Sequence, residues 1–280
     1  MNKTLAIFEL MRLDKPIGIY LLLWPALLAL VISSNGNFEY VDLIIVIIGS
    51  ILVRSAGCVI NDIWDKDLDG GVERTKTRPI PSKKLSISES WVVFAVLGIL
   101  SLMLLSLTNA NTILISICFG LMIVVYPLTK RFFIGPQIFL GLTFNPTIIV
   151  YAMTNELNNP TMIFLYLAIA AKTIAFDSFY GLCDMEDDKK LGINSTPLWW
   201  GSKTLLIIAI LQFAVISFLL IVGLKAELSS AWYIGIILLS GFYFYQHQLA
   251  SQKNFLLAFK NNHWASLYLL TLSVFCFLII

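Results

Sequence analysis

NDIWDKDLDG, residues 61–70, sets four acids and an amide in ten positions of a 280-residue chain that is 58% hydrophobic and only 13% charged. Its mean hydropathy of +0.84 lies far from soluble domains, in which about a quarter of residues carry charge. On both sides of the acidic stretch, apolar runs of about 17 to 20 residues recur, each long enough to cross a hydrocarbon core of roughly 30 Å as a helix. There are nine, approximately 17–33, 41–60, 91–107, 112–128, 135–153, 161–179, 204–224, 231–248 and 264–280. None shows the polar/apolar alternation of a barrel strand, and helices satisfy their own backbone groups in lipid. The expected fold is all-α: a polytopic membrane bundle of nine transmembrane helices, with residues 1–280 as a single membrane domain.

The first eighteen residues, MNKTLAIFELMRLDKPIG, are amphipathic and lack a small-residue cleavage site, so the first span is expected to stay. Cys58, Cys118, Cys183 and Cys276 lie in or beside apolar runs without paired spacing, which predicts buried thiols and no disulfide or metal role. Under an inside amino terminus, 16 of the 19 lysines and arginines fall on one side, against Lys225 alone on the other, with Arg54 and Lys172 inside spans. The positive-inside rule then predicts a cytoplasmic amino terminus and an outside carboxyl terminus.

That orientation puts the acidic stretch in the cytoplasm together with a second one, containing Asp177, Asp184, Glu186, Asp187 and Asp188. The two hold nine of the chain's 17 acids. If the membrane helices continue past their spans at 100° per residue, Asp177, Asp184 and Asp188 fall within about 40° of one another, and Asn61, Asp65 and Asp69 within about 80°. Each set would present a column of oxygens to one aqueous space. Carboxylates this close repel unless a cation intervenes. Oxygen donors without His or Cys suit a hard ion such as Mg²⁺, which commonly binds through a few carboxylates plus substrate phosphate.

Basic residues follow the acids at once: Arg74, Lys76 and Arg78 after Asp69, Lys189 and Lys190 after Asp188, and Lys130 and Arg131 at the end of the fourth span. Carboxylates for a metal beside cationic side chains match a polyphosphate, although positive-inside topology alone would account for any single lysine. No glycine-rich phosphate loop is present, which argues against ATP. A site among membrane helices instead suggests a diphosphate whose remainder is a lipid.

Here the residues resemble a known family. NDIWDKDLDGGVERTKTRPIP (61–81) looks like the first signature of the UbiA family of intramembrane prenyltransferases, N-D-x-x-D-x-x-x-D followed by R-T-x-x-R-P. DSFYGLCDMEDDKKLGINST (177–196) looks like the second, D-x-x-Y-x-x-x-D-x-x-D-D followed by G-I-x-S-T. RLDKPIG (12–18), LLLWP (21–25), RSAGCVIND (54–62) and YPLTKRFFIGPQIFLG (126–141) are similar to the branch that prenylates 4-hydroxybenzoate in ubiquinone biosynthesis. Phe176 stands where many relatives carry Tyr, an exchange that leaves the ligands untouched.

The resemblance implies a central cavity open toward the cytoplasm and laterally to lipid. It implies Mg²⁺ held by Asn61, Asp65, Asp69, Asp184 and Asp188, with Asp177 joining or supporting the second set. Arg74, Lys130 and Arg131 would draw charge from the diphosphate of a polyprenyl donor. Arg54, seven residues before Asn61 and costly in a membrane unless partnered, would meet the ring carboxylate of 4-hydroxybenzoate. Asp65, Asp184 and Arg54 are the expected catalytic residues. The implied location is a bacterial inner membrane, or the mitochondrial inner membrane in a eukaryote, with membrane lipids around the bundle. No nucleic-acid or protein partner is indicated.

The rival readings are another acceptor, such as a dihydroxynaphthoate, homogentisate, haem or chlorophyllide, and a cation transporter. Arginines beside the acids would repel a transported cation, and the outside loops are nearly bare of acids. His247 and His263 read as packing residues, and the sequon Asn194-Ser195-Thr196 as a chance match in a cytoplasmic loop. Gly141 and Pro146 read as sites of close packing or a kink.

Overall fold

The structure, a computed structural model, describes residues 3–70 and 75–278. Among these residues all regular structure is helical. The chain begins with α1 (Lys3–Leu10), α2 (Ile17–Ser33), α3 (Tyr40–Trp64), the single turn α4 (Lys66–Asp69), α5 (Ile87–Leu105) and α6 (Ala110–Thr129). It continues with α7 (Pro136–Thr143), α8 (Thr147–Met153), α9 (Thr161–Leu191), the short α10 (Thr196–Trp200), α11 (Thr204–Lys225), α12 (Ser230–Ser251) and α13 (Phe255–Leu278).

Helix is found at each of the nine expected positions among the described residues, but not as nine equal crossings. Five segments are long and apolar enough to cross a membrane: Tyr40–Trp64, Ile87–Leu105, Ala110–Thr129, Thr161–Leu191 and Thr196–Lys225. α2 is shorter, and α12 and α13 are diluted by polar side chains such as Gln246, His247, Asn261 and Asn262. The expected fifth span, 135–153, is broken between α7 and α8. Pro146 offers no N–H and disfavours helical backbone at the residue before it. Asn145 takes over at the break: its Oδ1 accepts from Thr147 Oγ1 at 2.8 Å and its Nδ2 donates to the Tyr166 carbonyl at 2.8 Å.

α9 is the axis of the bundle, packed by α11, α7, α13 and α8. At about 1.5 Å per residue its 31 residues run well past a bilayer core. It stops at Gly192, whose φ of 67° allows the left-handed cap in which the Ile193 N–H returns to the Asp188 carbonyl at 2.9 Å. One apolar core joins α2, α9, α11, α12 and α13 through Leu30, Leu165, Leu219, Trp232 and Leu269, all nearly inaccessible. A smaller one seats Ala6 and Leu10 of α1 on Val59 and Ile63 of α3.

α5 and α6 are joined by four residues, yet α5 packs chiefly on α3, and α6 on α8, α3 and α7, more than on each other. Their outer faces expose Val92, Val96, Met103, Leu114 and Val125. Apolar exposure of this extent belongs against lipid. It also corrects the cysteine expectation: Cys118, on that outer face, and Cys183 are exposed, while Cys58 and Cys276 are buried, and no disulfide joins any of them among the described residues.

Candidate functional site

The acid-bearing ends of α3 and α9 face one cavity of about 1450 Å³. Asn61 and Asp65 reach it from the end of α3, Asp69 from α4, and Asp177, Asp184 and Asp188 from α9. The second set arises as expected, because α9 continues unbroken from Asp177 to Asp188. The first does not. α3 ends at Trp64; Asp65, at φ −93° and ψ 5°, is a joint whose carbonyl accepts from Leu68 and Asp69, so Asp69 belongs to a separate turn and not to one continued helix face. All three residues of the first set nevertheless line the cavity. Tyr126, in the last turn of α6, lines the same cavity as both sets.

Two acids of the first set are paired with cations. Lys130 pairs with Asp65 through one carboxylate oxygen, while the other, Oδ1, is buried without a hydrogen-bond partner. Arg78 pairs with Asp69 at 2.8 Å. Burial pushes the Asp65 and Asp69 carboxyls above the usual carboxylate range, opposed by Lys130 and Arg78 respectively. Acids in this condition favour a further cation. A donor set of carboxylates and an amide fits a hard divalent ion, and the unpartnered Asp65 Oδ1 is a free ligand position. Among the described residues no three carboxylate, imidazole or thiol groups are already gathered as a metal site. Oxygen donors of this kind suit an ion that takes some of its ligands from the chain and others from a phosphate.

The other cations expected at this site go to different places. Arg131 is absent from the cavity lining among the described residues and donates to the Trp64 carbonyl at 2.6 Å, tying α6 to the end of α3. Arg74 lies outside the described residues. Arg54 does line the cavity, deeper along α3. Its guanidinium lies 5.2 Å from the Phe144 ring, which the α7–α8 break presents to it, and its Nε is buried without a partner. Gly18 makes the room: a Cβ there would stand 2.5 Å from Arg54 Nε.

Away from the acids the cavity turns apolar, running between α3, α5, α6 and α8 past Leu102, Leu105, Ile117, Ile123, Ile149 and Met153. Nearer the polar end its aromatic wall is Phe144, Phe176, Tyr180 and Phe259, with adjacent ring centroids 4.8 to 6.4 Å apart. His263 lines the cavity while its Nδ1 accepts from Trp24 Nε1 at 2.8 Å. His247 serves packing, bonded to Gln212 at 3.0 Å.

Sequence reasoning passed over Asp62. One residue beyond Asn61, it turns about 100° away from the column. It is 1% exposed and is held by Arg12, at 2.8 Å to each oxygen, and by Arg78 at 3.1 Å. The available signal was the acid directly beside Asn61, which one helix face cannot share.

A sequence profile described as the UbiA prenyltransferase family matches residues 22–278. A relative from Pseudomonas aeruginosa (strain LESB58), named 4-hydroxybenzoate octaprenyltransferase, is 40% identical over 265 residues, covering 92% of this chain and 89% of the relative. The apo structure of a UbiA homolog from Aeropyrum pernix K1 matches with a TM-score of 0.78 at 21% identity, covering 90% of this chain and 94% of that one. A UbiA homolog from Archaeoglobus fulgidus, solved bound to GPP and Mg²⁺, matches with a TM-score of 0.75 at 17% identity, covering 98% and 100%.

Proposed function

The chain belongs to the UbiA prenyltransferase family, and from that premise we propose that it transfers a polyprenyl group from polyprenyl diphosphate to 4-hydroxybenzoate, at the ring carbon ortho to the hydroxyl. The observation that carries this reading is one cavity that holds both acid sets and Lys130 at its polar end, Arg54 deeper in, and an apolar extension beyond. A diphosphate, an aromatic acid and a hydrocarbon tail each have a matching stretch of wall.

Asn61, Asp65, Asp69, Asp177, Asp184 and Asp188 would hold the divalent ion, Mg²⁺, in keeping with the oxygen-only donors and with the ion bound by the Archaeoglobus fulgidus homolog. When bound, that ion supplies charge neutralisation to the leaving diphosphate. Lys130 adds a positive charge at the same end, and Arg74 is the further cation proposed there. Arg131, committed to the Trp64 carbonyl, supports the α3 terminus on which Asp65 sits. Arg54 binds the carboxylate of the aromatic acid, which supplies its Nε with a partner and offsets the cost of a guanidinium inside the bundle. The prenyl C–O bond breaks with its electron pair leaving on the diphosphate, the ring carbon ortho to the hydroxyl attacks the allylic cation, and that carbon then gives up its proton to restore the aromatic ring. Phe144, Phe176, Tyr180 and Phe259 exclude water from the allylic cation and face it with their π-systems.

The acid-bearing end is taken to face the cytoplasm, on the strength of the lysine and arginine distribution, in a bacterial inner membrane. Lipid-embedded protein supplied with labelled 4-hydroxybenzoate and a polyprenyl diphosphate, with and without Mg²⁺, tests the proposal. Labelled prenylated product that requires the ion is expected. No labelled lipid with donors of any length would defeat the assigned acceptor.

A further inference from the structure

Among the described residues, four that line the cavity carry a buried polar atom without a hydrogen-bond partner: Arg54 Nε, Asp65 Oδ1 and Ser195 Oγ around its polar half, and Ser116 Oγ on α6 in the apolar stretch. The proposed function occupies the first two, with the acid's carboxylate and the divalent ion. Ser195 Oγ has no such assignment, and a buried hydroxyl left unpaired calls for one.

Ser195 is 2% exposed and lines the cavity. Its backbone is extended, at φ −154° and ψ 154°, directly ahead of α10, the position where a serine ordinarily accepts from the first turn of the helix. Here it makes no such bond. The Thr196 N–H is already given to Gln137 Oε1 at 2.8 Å, and Pro197 has no N–H to give. Both neighbours are fixed: the Asn194 N–H donates to the Lys130 carbonyl at 2.9 Å, and Thr196 Oγ1 bonds Ser178 Oγ at 2.7 Å. The hydroxyl is thus held in place by bonds on either side while doing none of the work of a cap.

Its position selects the ligand. The Asn194–Lys130 bond fastens the segment after α9 to the end of α6, so Ser195 arrives at the cavity beside the lysine that pairs with Asp65. Arg54, by contrast, lies seven residues back from Asn61, roughly 10 Å along α3. Resting on the proposed function, we propose that Ser195 Oγ donates a hydrogen bond to a non-bridging oxygen of the donor's diphosphate, making Ser195 a binding residue for the leaving group alongside Lys130. A phosphate oxygen carries the lone pairs and charge that a lone hydroxyl can answer, and such bonds are stronger than neutral ones.

The test compares the full chain in lipid nanodiscs with its Ser195→Ala and Ser195→Thr variants. Four quantities are measured: Kd for pyrophosphate at saturating Mg²⁺, Kd for Mn²⁺ alone, KM for 4-hydroxybenzoate, and the thermal midpoint. Loss of one hydrogen bond to a charged group predicts a pyrophosphate Kd raised about tenfold in Ser195→Ala. The Mn²⁺ Kd and the acid's KM should stay within about twofold, and Ser195→Thr should recover most of the affinity. The midpoint should not fall, because the alanine removes an unsatisfied buried group and breaks no bond. Unchanged pyrophosphate affinity in Ser195→Ala overturns the inference. A parallel loss of Mn²⁺ affinity overturns it too, by making Ser195 a metal ligand, and so does a lost midpoint that accounts for the weakened binding. If the unsubstituted protein binds no pyrophosphate at all, it is the proposed function that fails, and the inference with it.

Discussion

Arg12 grips both oxygens of Asp62, each at 2.8 Å, across fifty residues of sequence. Arg78 meets the same carboxylate at 3.1 Å and goes on to Asp69 at 2.8 Å. One buried acid therefore fastens the α1–α2 connection and the segment leading into α5 over the polar end of the cavity, and it steadies the guanidinium that flanks Asp69. A carboxylate answered by two arginines is fully compensated, whereas either arginine left without it is not.

Asp62→Ala is expected to cost about 3 to 5 kcal/mol, the range for removing one partner of a buried ion pair. Prenyl transfer should fall with it, as Arg78 loses the anchor that holds it at Asp69. Tryptophan fluorescence on heating in detergent, set beside turnover, checks this. Asp67→Ala, at an exposed neighbour on α4, should change neither; equal behaviour of the two variants would show that Asp62 has no such role.

Removal of one expected metal oxygen should lower turnover well beyond what any loss of folded protein explains. Asp65→Ala deletes the carboxylate that pairs with Lys130 and holds the unpartnered Oδ1. Turnover per folded molecule is expected to fall at least a hundredfold, the scale seen when one stabiliser of developing charge is lost, while the thermal midpoint falls as the broken pair with Lys130 requires and fixes the folded fraction at the assay temperature. Near-normal turnover would count against the ligand assignment.

If the prenyl tail runs toward lipid, the expected way out lies between α5 and α6. Gly98 and Gly120, one on each helix, line the cavity, and a Cβ built at either meets nothing within 4 Å. A bulky side chain there should leave the fold intact but crowd a long tail. Gly120→Trp is expected to lower kcat/KM for a long polyprenyl diphosphate by about tenfold relative to geranyl diphosphate, matching about 1 to 3 kcal/mol of overpacking. Equal losses for both donors would mean that the tail runs elsewhere.

Much of this arrangement is legible in the sequence, for reasons that separate local from distant effects. Apolar runs reveal helices because lipid leaves few alternatives, and Asp177, Asp184 and Asp188 share a face because 3.6-residue periodicity holds as long as the helix does. The same periodicity misplaces Asp69, since α3 ends at Trp64 and nothing in the sequence WDKD marks that joint. Pro146 signals a kink, but the contact it creates between Phe144 and Arg54 joins residues ninety positions apart and is settled only by packing. Ser195 was hidden within a chance sequon, because an unsatisfied hydroxyl becomes visible only once its neighbours' bonds are known.

The packing of Gly18 on Arg54 separates a residue's fold from its function most cleanly. An alanine Cβ at position 18 would stand 2.5 Å from Nε, 2.7 Å from Nη2 and 2.9 Å from Cζ of Arg54. All three atoms are at the far end of a flexible side chain, so the helices need not part; the guanidinium moves instead. Gly18→Ala should therefore reproduce Arg54→Ala in one respect, weaker binding of 4-hydroxybenzoate by about tenfold, as expected when a charge-assisted hydrogen bond is misplaced. Donor affinity should hold. Stability should stay level or rise slightly, because alanine is the better helix former by up to about 1 kcal/mol. Gly241→Ala, where a Cβ meets nothing within 4 Å, supplies the control for helix propensity alone. Titration of 4-hydroxybenzoate into the three variants decides the matter: if Gly18→Ala binds the acid as tightly as Gly241→Ala does, the guanidinium's position is not what holds the acid.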